Sequence, residues 1–95
     1  MIIYKTSVEQ TDCIQRVTIK LQRGSKILNV GIQIRNINRI NFWYLVPNIN
    51  ADIVERNFLI VGTGIEIEDD FDSLGDHFYY ETPVGEVYHV FELLY

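Results

Sequence analysis

The chain has 95 residues, of which 47% are hydrophobic, and a formal net charge of −5. A chain of this length forms one domain, residues 1–95, and buries about 60 to 65% of the surface that its unfolded form exposes. The single cysteine excludes an intramolecular disulfide, and the apolar runs are far shorter than the roughly 20 residues of a membrane-spanning helix. We therefore expect a globular cytoplasmic protein without a membrane partner.

Two segments in the first third of the chain alternate between apolar and polar side chains, which predicts half-buried strands. Residues 14–21 turn Val17, Ile19 and Leu21 to one side, and residues 27–35 turn Leu28, Val30, Ile32 and Ile34 to one side. The glycine-containing stretch QRGSK separates the two segments, so we expect them to form a hairpin.

The middle of the chain predicts two more strands. After a turn over NINR (36–39), the run INFWYLV (40–46) is too apolar for a strand with one fully wet face. Residues 47–54 read as a loop, and a further strand runs from about Glu55 to Val61.

The C-terminal stretch HFYYETPVGEVYHVFE predicts a hairpin with a loop of Pro83, Val84 and Gly85. This loop sets the cross-strand partners: Thr82 with Glu86, Tyr80 with Tyr88, Tyr79 with His89, Phe78 with Val90, and His77 with Phe91. With an edge strand over Ile2–Tyr4, the chain has six or seven short strands and little or no helix. We expect an all-β fold, either a small antiparallel sandwich or an open barrel.

Charge is segregated along the chain. All eight Lys and Arg residues lie at or before position 56, whereas nine of the thirteen acids follow it. The fold either interleaves the two halves, so that basic and acidic strands pair, or keeps a positive and a negative face. A positive face would bind an anionic ligand and a negative face a basic partner. The two faces together would stack subunits head to tail.

The stretch FLIVGTGIEIEDD (58–70) resembles a phosphate-binding loop only superficially. It lacks the lysine and hydroxyl of a Walker loop and the third glycine of a dinucleotide fingerprint, so its glycines favour a strand bend. The alternative is that they allow a close approach of the backbone to a ligand. The acids that follow do not have the spacing of an EF-hand calcium loop. They form either a solvated loop or a mimic of nucleic-acid phosphates that binds a basic protein: Glu66, Glu68, Asp69, Asp70 and Asp72.

The two histidines, His77 and His89, share one face of the predicted C-terminal hairpin. Two imidazoles fall short of the three or four ligands of a usual zinc site. No serine or cysteine belongs to a nucleophile motif. The sequence therefore predicts no metal, no cofactor and no enzymatic activity.

The strongest indication of binding is the combination of arginines with aromatic residues in NINRINFWY (36–44). Arginine matches phosphate groups and aromatic rings stack on bases, so the segment is suited to a small nucleotide-like anion. The alternative is that the aromatic residues pack in the core beside a solvated turn. A pI near 4.8 argues against duplex DNA. The candidate ligand-binding residues are Arg35, Asn38, Arg39, Trp43, Tyr44 and Arg56.

In order along nearly the whole chain, the segments MIIYKTSVEQTD, VTIKLQRGSKILNVGIQ, FWYLV, ERNFLIVGTG and YHVFE resemble a family of short, uncharacterised phage and prophage proteins. The GTG after an apolar strand and the terminal HVFE are its most recognisable marks. The segment IRNINRI departs from the usual pattern. The resemblance implies a fold and a viral context, in the cytoplasm of an infected bacterial host, and names no reaction.

Small phage proteins without enzymatic motifs commonly bind something of the host, so three hypotheses follow. A homo-oligomer would sequester an anionic nucleotide-type signal of a host defence system and thereby counter that defence. Alternatively, the acidic stretch would block the nucleic-acid groove of a host defence enzyme. As a third option, the protein would have a structural or housekeeping role in the phage.

Overall fold

The computed structural model describes every residue of the protein except Ile34, and most of these residues lie in strands. The seven strands are β1 (Ile2–Glu9), β2 (Ile14–Gln22), β3 (Lys26–Gln33), β4 (Asn36–Val46), β5 (Ile53–Gly62), β6 (Leu74–Glu81) and β7 (Val87–Leu93). Among the described residues, the only helical segment is a 3-10 turn over Phe71–Ser73. The predicted all-β class is confirmed. Outside position 34, the chain has no helix long and apolar enough to cross a membrane.

The strands form two antiparallel sheets around a shared core. The strand order is β1-β4-β3 in the three-stranded sheet and β2-β5-β7-β6 in the four-stranded sheet. Buried side chains from both sheets belong to one hydrophobic cluster. At its centre, the rings of Phe42 on β4 and Phe58 on β5 lie 4.9 Å apart between centroids. Of the two predicted architectures, the protein therefore adopts the sandwich.

Alternation along β4 decides which side chains reach this core. Ile40, Phe42, Tyr44 and Val46 are buried and belong to the core cluster. Arg39 and Trp43 point to the opposite face of the strand, because successive side chains of a strand alternate between faces, and both are only partly buried. The three-stranded sheet thus has a core face and an outer face, and the candidate residues of β4 are divided between them.

The predicted hairpin of the first two alternating segments is wrong. β2 pairs with β5 and β3 pairs with β4, so the turn after Gln22 carries the chain from one sheet to the other. Both strands still bury one face, Ile19 and Leu21 on β2 and Ile27 and Val30 on β3. A half-buried strand has the same periodicity whether its neighbour in sequence lies beside it or across the core, and only the long-range pairing distinguishes the two cases.

Two details of β3 and β4 also differ from the prediction. The pairing of β3 with β4 shifts between Ile27 and Asn29, and this irregularity brings Ile27 to the core and leaves Leu28 exposed. An extra residue in one strand reverses the faces of the residues beyond it, so strict alternation fails here. Ile34, which was also expected on the inner side, lies outside the described residues. β4 begins at Asn36, four residues before the predicted start.

The C-terminal hairpin has the predicted register. His77, Phe78, Tyr79 and Tyr80 lie opposite Phe91, Val90, His89 and Tyr88. The loop closes through hydrogen bonds from the Gly85 amide to the Thr82 carbonyl at 2.9 Å and from the Thr82 amide to the Glu86 carbonyl at 2.8 Å. Gly85 adopts a φ of 84°, the left-handed conformation that glycine tolerates without strain. Local turn chemistry was therefore sufficient to predict this register.

The chain between β5 and β6 runs the length of the four-stranded sheet. β5 and β6 both pair antiparallel with β7, so they are parallel to each other, and the connection must return to the opposite end of the sheet. We call residues 65–73 the acidic strap. Its Asp69 forms an ion pair with Arg16, which points away from the core on β2. The strap therefore lies over the outer face of this sheet, where Leu59 and Val61 of β5 are buried.

Candidate binding surfaces

The fold distributes the six candidate anion-binding residues over different parts of the molecule. Arg35 and Asn38 are exposed where β3 leads into β4, while Arg39 and Trp43 lie on the outer face of the three-stranded sheet. Tyr44 points into the core, and Arg56 belongs to the four-stranded sheet. Arg39 and Trp43 thus share one outer face, and a single chain does not bring all six residues together.

Arg56 is occupied by contacts within the protein. Its Nε donates to Glu92 Oε2 at 2.7 Å and its Nη2 donates to Glu92 Oε1 at 2.6 Å. The remaining nitrogen, Nη1, donates to the Ser25 carbonyl in the turn between β2 and β3. Paired hydrogen bonds between a guanidinium and a carboxylate are among the strongest in proteins. Arg56 therefore ties the two sheets together at this turn.

Tyr44 and Arg39 are also engaged, though to different degrees. Tyr44 packs near Tyr4, with ring centroids 6.2 Å apart, and burial raises the pKa of its phenol. Arg39 donates from Nε to Ser7 Oγ and from Nη2 to the Ser7 carbonyl, each at 3.2 Å. The Arg39 contacts are neutral and long, so its charge is not neutralised by Ser7.

The outer face of the three-stranded sheet keeps a positive character. Trp43 lies opposite Lys5 on one side and Asn29 on the other, and Lys26 lies opposite Leu45 on the same face. We call Lys5, Lys26, Arg39 and Trp43 the basic face. Glu9, opposite Arg39 in the register with β1, is the acid of the same face.

The four-stranded sheet instead interleaves opposite charges. Lys20 lies opposite Glu55, Arg16 pairs with Asp69, and Arg56 pairs with Glu92. Each of the two interpretations of the charge segregation therefore applies to one sheet. Opposite charges pair in the four-stranded sheet, whereas on the three-stranded sheet Lys5 and Lys26 lie opposite uncharged residues and Arg39 lies opposite Glu9.

The acidic strap is fastened by Asp69. The Asp69 carboxylate accepts hydrogen bonds from Arg16 and, at 2.8 Å, from the Tyr95 hydroxyl, and only 5% of its side chain is exposed. Asp69 is thus unavailable to a partner. The other four candidate acids, Glu66, Glu68, Asp70 and Asp72, are exposed.

Phe71 is the feature of the strap that the sequence analysis missed. Its side chain is 89% exposed, between the exposed Asp70 and Asp72. The segment is held in place from the Ser73 side, where Ser73 Oγ donates to the Asp70 carbonyl at 2.7 Å and the Leu94 amide donates to the Ser73 carbonyl at 2.9 Å. A single aromatic residue within an acidic run, outside any strand periodicity, was the signal that could have identified it.

Two of the three amides of the GTG step, and the amide that follows it, are hydrogen-bonded within the fold. The Gly62 amide donates to the Cys13 carbonyl at 2.8 Å, the Thr63 amide to the Val87 carbonyl at 3.1 Å, and the Ile65 amide to the Gly62 carbonyl at 3.2 Å. Gly64 has a φ of 86°. A phosphate loop would direct its amides at the ligand. This segment is therefore the bend from which the acidic strap departs.

Two adjoining clefts lie beside this bend, with volumes of about 370 and 380 Å³. They share Cys13, Glu86 and Tyr88, and the first is also lined by Asp12 and Asn38. The described lining contains two carboxylates and neither lysine nor arginine. Asn38 thus borders a cleft whose charge does not suit an anion.

His77 and His89 form a hydrogen-bonded chain with Thr63 on the outer side of the hairpin, which confirms their predicted common face. His77 Nε2 lies 2.9 Å from His89 Nδ1, and His89 Nε2 lies 3.0 Å from Thr63 Oγ1. Thr63 Oγ1 donates its own proton to the Val87 carbonyl. The chain is satisfied when His89 Nε2 donates to Thr63 Oγ1 and His77 Nε2 donates a hydrogen bond to His89 Nδ1.

Among the described residues, this histidine chain has no further ligating neighbour for a metal ion. Within residues 1–33 and 35–95, no three or more His, Cys, Asp or Glu side chains are grouped as a metal would require. Burial and the neighbouring His89 lower the pKa of His77. The arrangement is a pair of hydrogen-bonded imidazoles.

Comparison with models of protein families assigns the chain to one family. Residues 1–94 match the family described as a domain of unknown function, DUF7352. Because the match covers almost the entire chain, the protein belongs to this family. Searches of curated proteins and of solved structures returned no match.

Proposed function

We propose that this member of the DUF7352 family is a non-enzymatic binding protein whose acidic strap docks onto a basic surface of another protein. The observation that carries the proposal is Phe71, a large apolar side chain that is 89% exposed between two exposed carboxylates. Side chains of this kind, surrounded by a polar rim, commonly anchor protein interfaces.

The strap is pre-organised for such an interaction. Asp69 fastens one side of the segment to Arg16 and Tyr95, and Ser73 is bonded to Leu94 on the other side. A segment that is already ordered loses less conformational entropy when it binds. The four exposed acids would steer the strap toward a positively charged partner and increase the association rate.

The chemistry of the strap suits a nucleic-acid groove. Phe71 would occupy the place of a base, and Asp70 and Asp72 would occupy the places of flanking phosphates. Proteins that bind single strands combine cationic grooves with aromatic or apolar platforms for the bases, so the same groove accepts such a mimic. In the viral context that the sequence resemblance implies, the partner would be a nucleic-acid-binding enzyme of the bacterial host.

A photo-crosslinking experiment tests this proposal. Benzoylphenylalanine replaces Phe71 in one variant and Tyr79, an exposed aromatic residue on β6, in a control. We expect adducts from position 71 with a host nucleic-acid-binding protein, and we expect a single-stranded oligonucleotide to prevent their formation. Adducts that form equally from position 79, or that persist with the oligonucleotide, would contradict docking by the strap.

A second candidate function rests on the basic face. Lys5, Lys26 and Arg39 lie on the same outer face as the half-buried Trp43, so this face retains the chemistry expected for a small nucleotide-like anion, and the exposed Arg35 precedes β4. An oligomer would be needed to enclose the ligand, because a sheet face by itself is open. In this proposal the protein sequesters a nucleotide signal of host defence.

Calorimetric titration with cyclic mononucleotides and cyclic dinucleotides distinguishes the two candidates. Sequestration predicts binding that Arg39→Ala abolishes and Asp70→Lys leaves unchanged. Docking by the strap predicts no nucleotide binding, and loss of the position 71 adducts when Asp70 and Asp72 are changed to Lys. Nucleotide binding that is insensitive to Arg39→Ala would remove the basic face as its site.

A further inference from the structure

Strand β1 has an open edge. It pairs with β4 on one side and, among the described residues, with no strand on the other. Unpaired N–H and C=O groups along a sheet edge form a template for another strand, and native proteins usually protect such edges with charges or covering segments. β2 is protected by Arg16 and Lys20, and β3 lies in contact with β6. β1 lacks comparable protection at its beginning.

The first half of β1 is apolar on both faces and exposed. Ile2 and Tyr4 point to the core side yet are 43% and 39% exposed, and Ile3 on the outer side is 59% exposed. At the other end of the strand, Val8 packs against the core cluster. Three consecutive large apolar side chains along an open edge indicate a surface that is covered by a partner.

We propose that two copies of the chain pair antiparallel through β1, around a two-fold axis at Thr6, and so join their three-stranded sheets into one of six strands. A second copy is the occupant because β1 is complementary to itself. The core-facing sides of the two copies lie on the same side of the joined sheet only if directly opposed residues are both odd-numbered or both even-numbered. This restriction leaves few registers.

Charge and the length of the paired segment together select among these registers. An axis at Ser7 would place Lys5 opposite Glu9 of the second copy, but it would leave Ile3 and Tyr4 without an opposing residue of β1. An axis at Lys5 would oppose two lysines, which is destabilising. An axis at Thr6 places Tyr4 opposite Val8 of the second copy on the core side, and Lys5 opposite Ser7 of the second copy on the outer side. Glu9 of the second copy then lies diagonal to Lys5, within reach of a long side chain. The register thus covers apolar surface and creates two symmetric ion pairs.

A charge-reversal cycle tests the interface, and it does not depend on the proposed function. Sedimentation equilibrium should give a dimer for the wild type. Lys5→Glu and Glu9→Lys, each alone, place like charges on the diagonal and should weaken the dimer at least tenfold. The double variant restores opposite charges and should restore the dimer. Lys26→Glu, on the same outer face but on β3, serves as the matched control and should remain dimeric.

Disulfide trapping tests the register. In a Cys13→Ser background, Thr6→Cys places the two sulfurs at the axis, where opposed residues have the Cα separation that a disulfide needs. We expect rapid oxidation to a covalent dimer. Ser7→Cys in the same background should stay monomeric under denaturing conditions, since its two copies are offset by two residues. A wild type with the mass of one chain, or cross-linking of Ser7→Cys in place of Thr6→Cys, would overturn the proposal.

Discussion

Arg56 holds Glu92 through two parallel hydrogen bonds of 2.7 and 2.6 Å, between neighbouring strands of the four-stranded sheet. The same guanidinium bonds the Ser25 carbonyl in the turn that leads to the other sheet. A residue that the sequence suggested as a phosphate ligand therefore connects β5, β7 and the β2–β3 turn.

Removal of one partner of this pair should destabilise the fold. Both side chains are largely buried, so Arg56→Met leaves the Glu92 carboxylate without its donors, and we expect a loss of about 2 kcal/mol in the free energy of unfolding. The double variant Arg56→Met with Glu92→Leu should be less destabilised than the sum of the single variants. Urea denaturation measures all four proteins, and strict additivity would show that the two residues are not coupled.

A second prediction concerns Asp69, whose contacts with Arg16 and Tyr95 hold the acidic strap in place. Asp69→Ala removes the acceptor of Arg16 and Tyr95, and it should cost about 2 kcal/mol and expose the strap to proteases. Asp70→Ala, at an exposed neighbouring position, should change stability by less than about 0.5 kcal/mol. Thermal melts and limited proteolysis check both variants. Equal protease sensitivity in the two variants would show that Asp69 does not fasten the strap.

The lowered pKa of His77 predicts that acid weakens the fold. Burial and His89 hold this pKa below its ordinary value of 6.5. The unfolded chain therefore binds the proton more readily, and the His77 contribution is fully present above about pH 6.5 and is lost as the pH falls from there through the lower pKa of the folded state. His77→Gln should show a shallower loss of unfolding free energy between about pH 7 and pH 5. Parallel curves for the two proteins would contradict this assignment.

A further prediction concerns Gly75, where strands β6 and β7 pack closely at the start of β6. A Cβ at this position would lie 2.8 Å from Leu94 Cδ2 and 3.0 Å from the Glu92 carbonyl oxygen. Leu94 can move, but the carbonyl belongs to the neighbouring strand, so Gly75→Ala should cost about 1 to 2 kcal/mol. Gly31→Ala is the control, because its Cβ would meet Tyr80 Cβ at an ordinary 3.8 Å. A Gly75→Ala protein that melts like the Gly31→Ala protein would show that the strands separate easily here.

The C-terminal hairpin could be predicted in detail because its determinants are local. Pro83 and Gly85 specify the loop, the loop specifies the register, and the register brings His77 beside His89. The predicted hairpin of β2 and β3 was wrong, because two strands that face each other across a core have the same periodicity as two strands that pair side by side. The irregularity at Leu28 could not be predicted from the sequence either, since it depends on the pairing of β3 with β4.

The candidate sites, too, were predicted correctly where they depend on local sequence and incorrectly where they depend on long-range contacts. The aromatic run of β4 was correctly placed in a strand, but alternation sends Trp43 outward and Tyr44 into the core. Arg56 was assigned a ligand because Glu92, 36 residues later in the chain, was not recognised as its partner. The acids of the strap were identified as a group, yet the internal role of Asp69 and the exposure of Phe71 depend on where the strap crosses the sheet.

Strand periodicity, the glycine and proline turns, and the concentration of acids after Arg56 could all be predicted from the sequence, because these properties depend on residues close together in the chain. The pairing of the strands, the pairing of opposite charges and the exposure of individual side chains became visible only in the folded chain. These outcomes depend on pairs such as Arg16 with Asp69, which lie 53 residues apart, and on the shared core that brings such residues together. FLIVGTG thus specified a bend, and the fold places the acidic segment after it across the outer face of the four-stranded sheet, with Phe71 exposed.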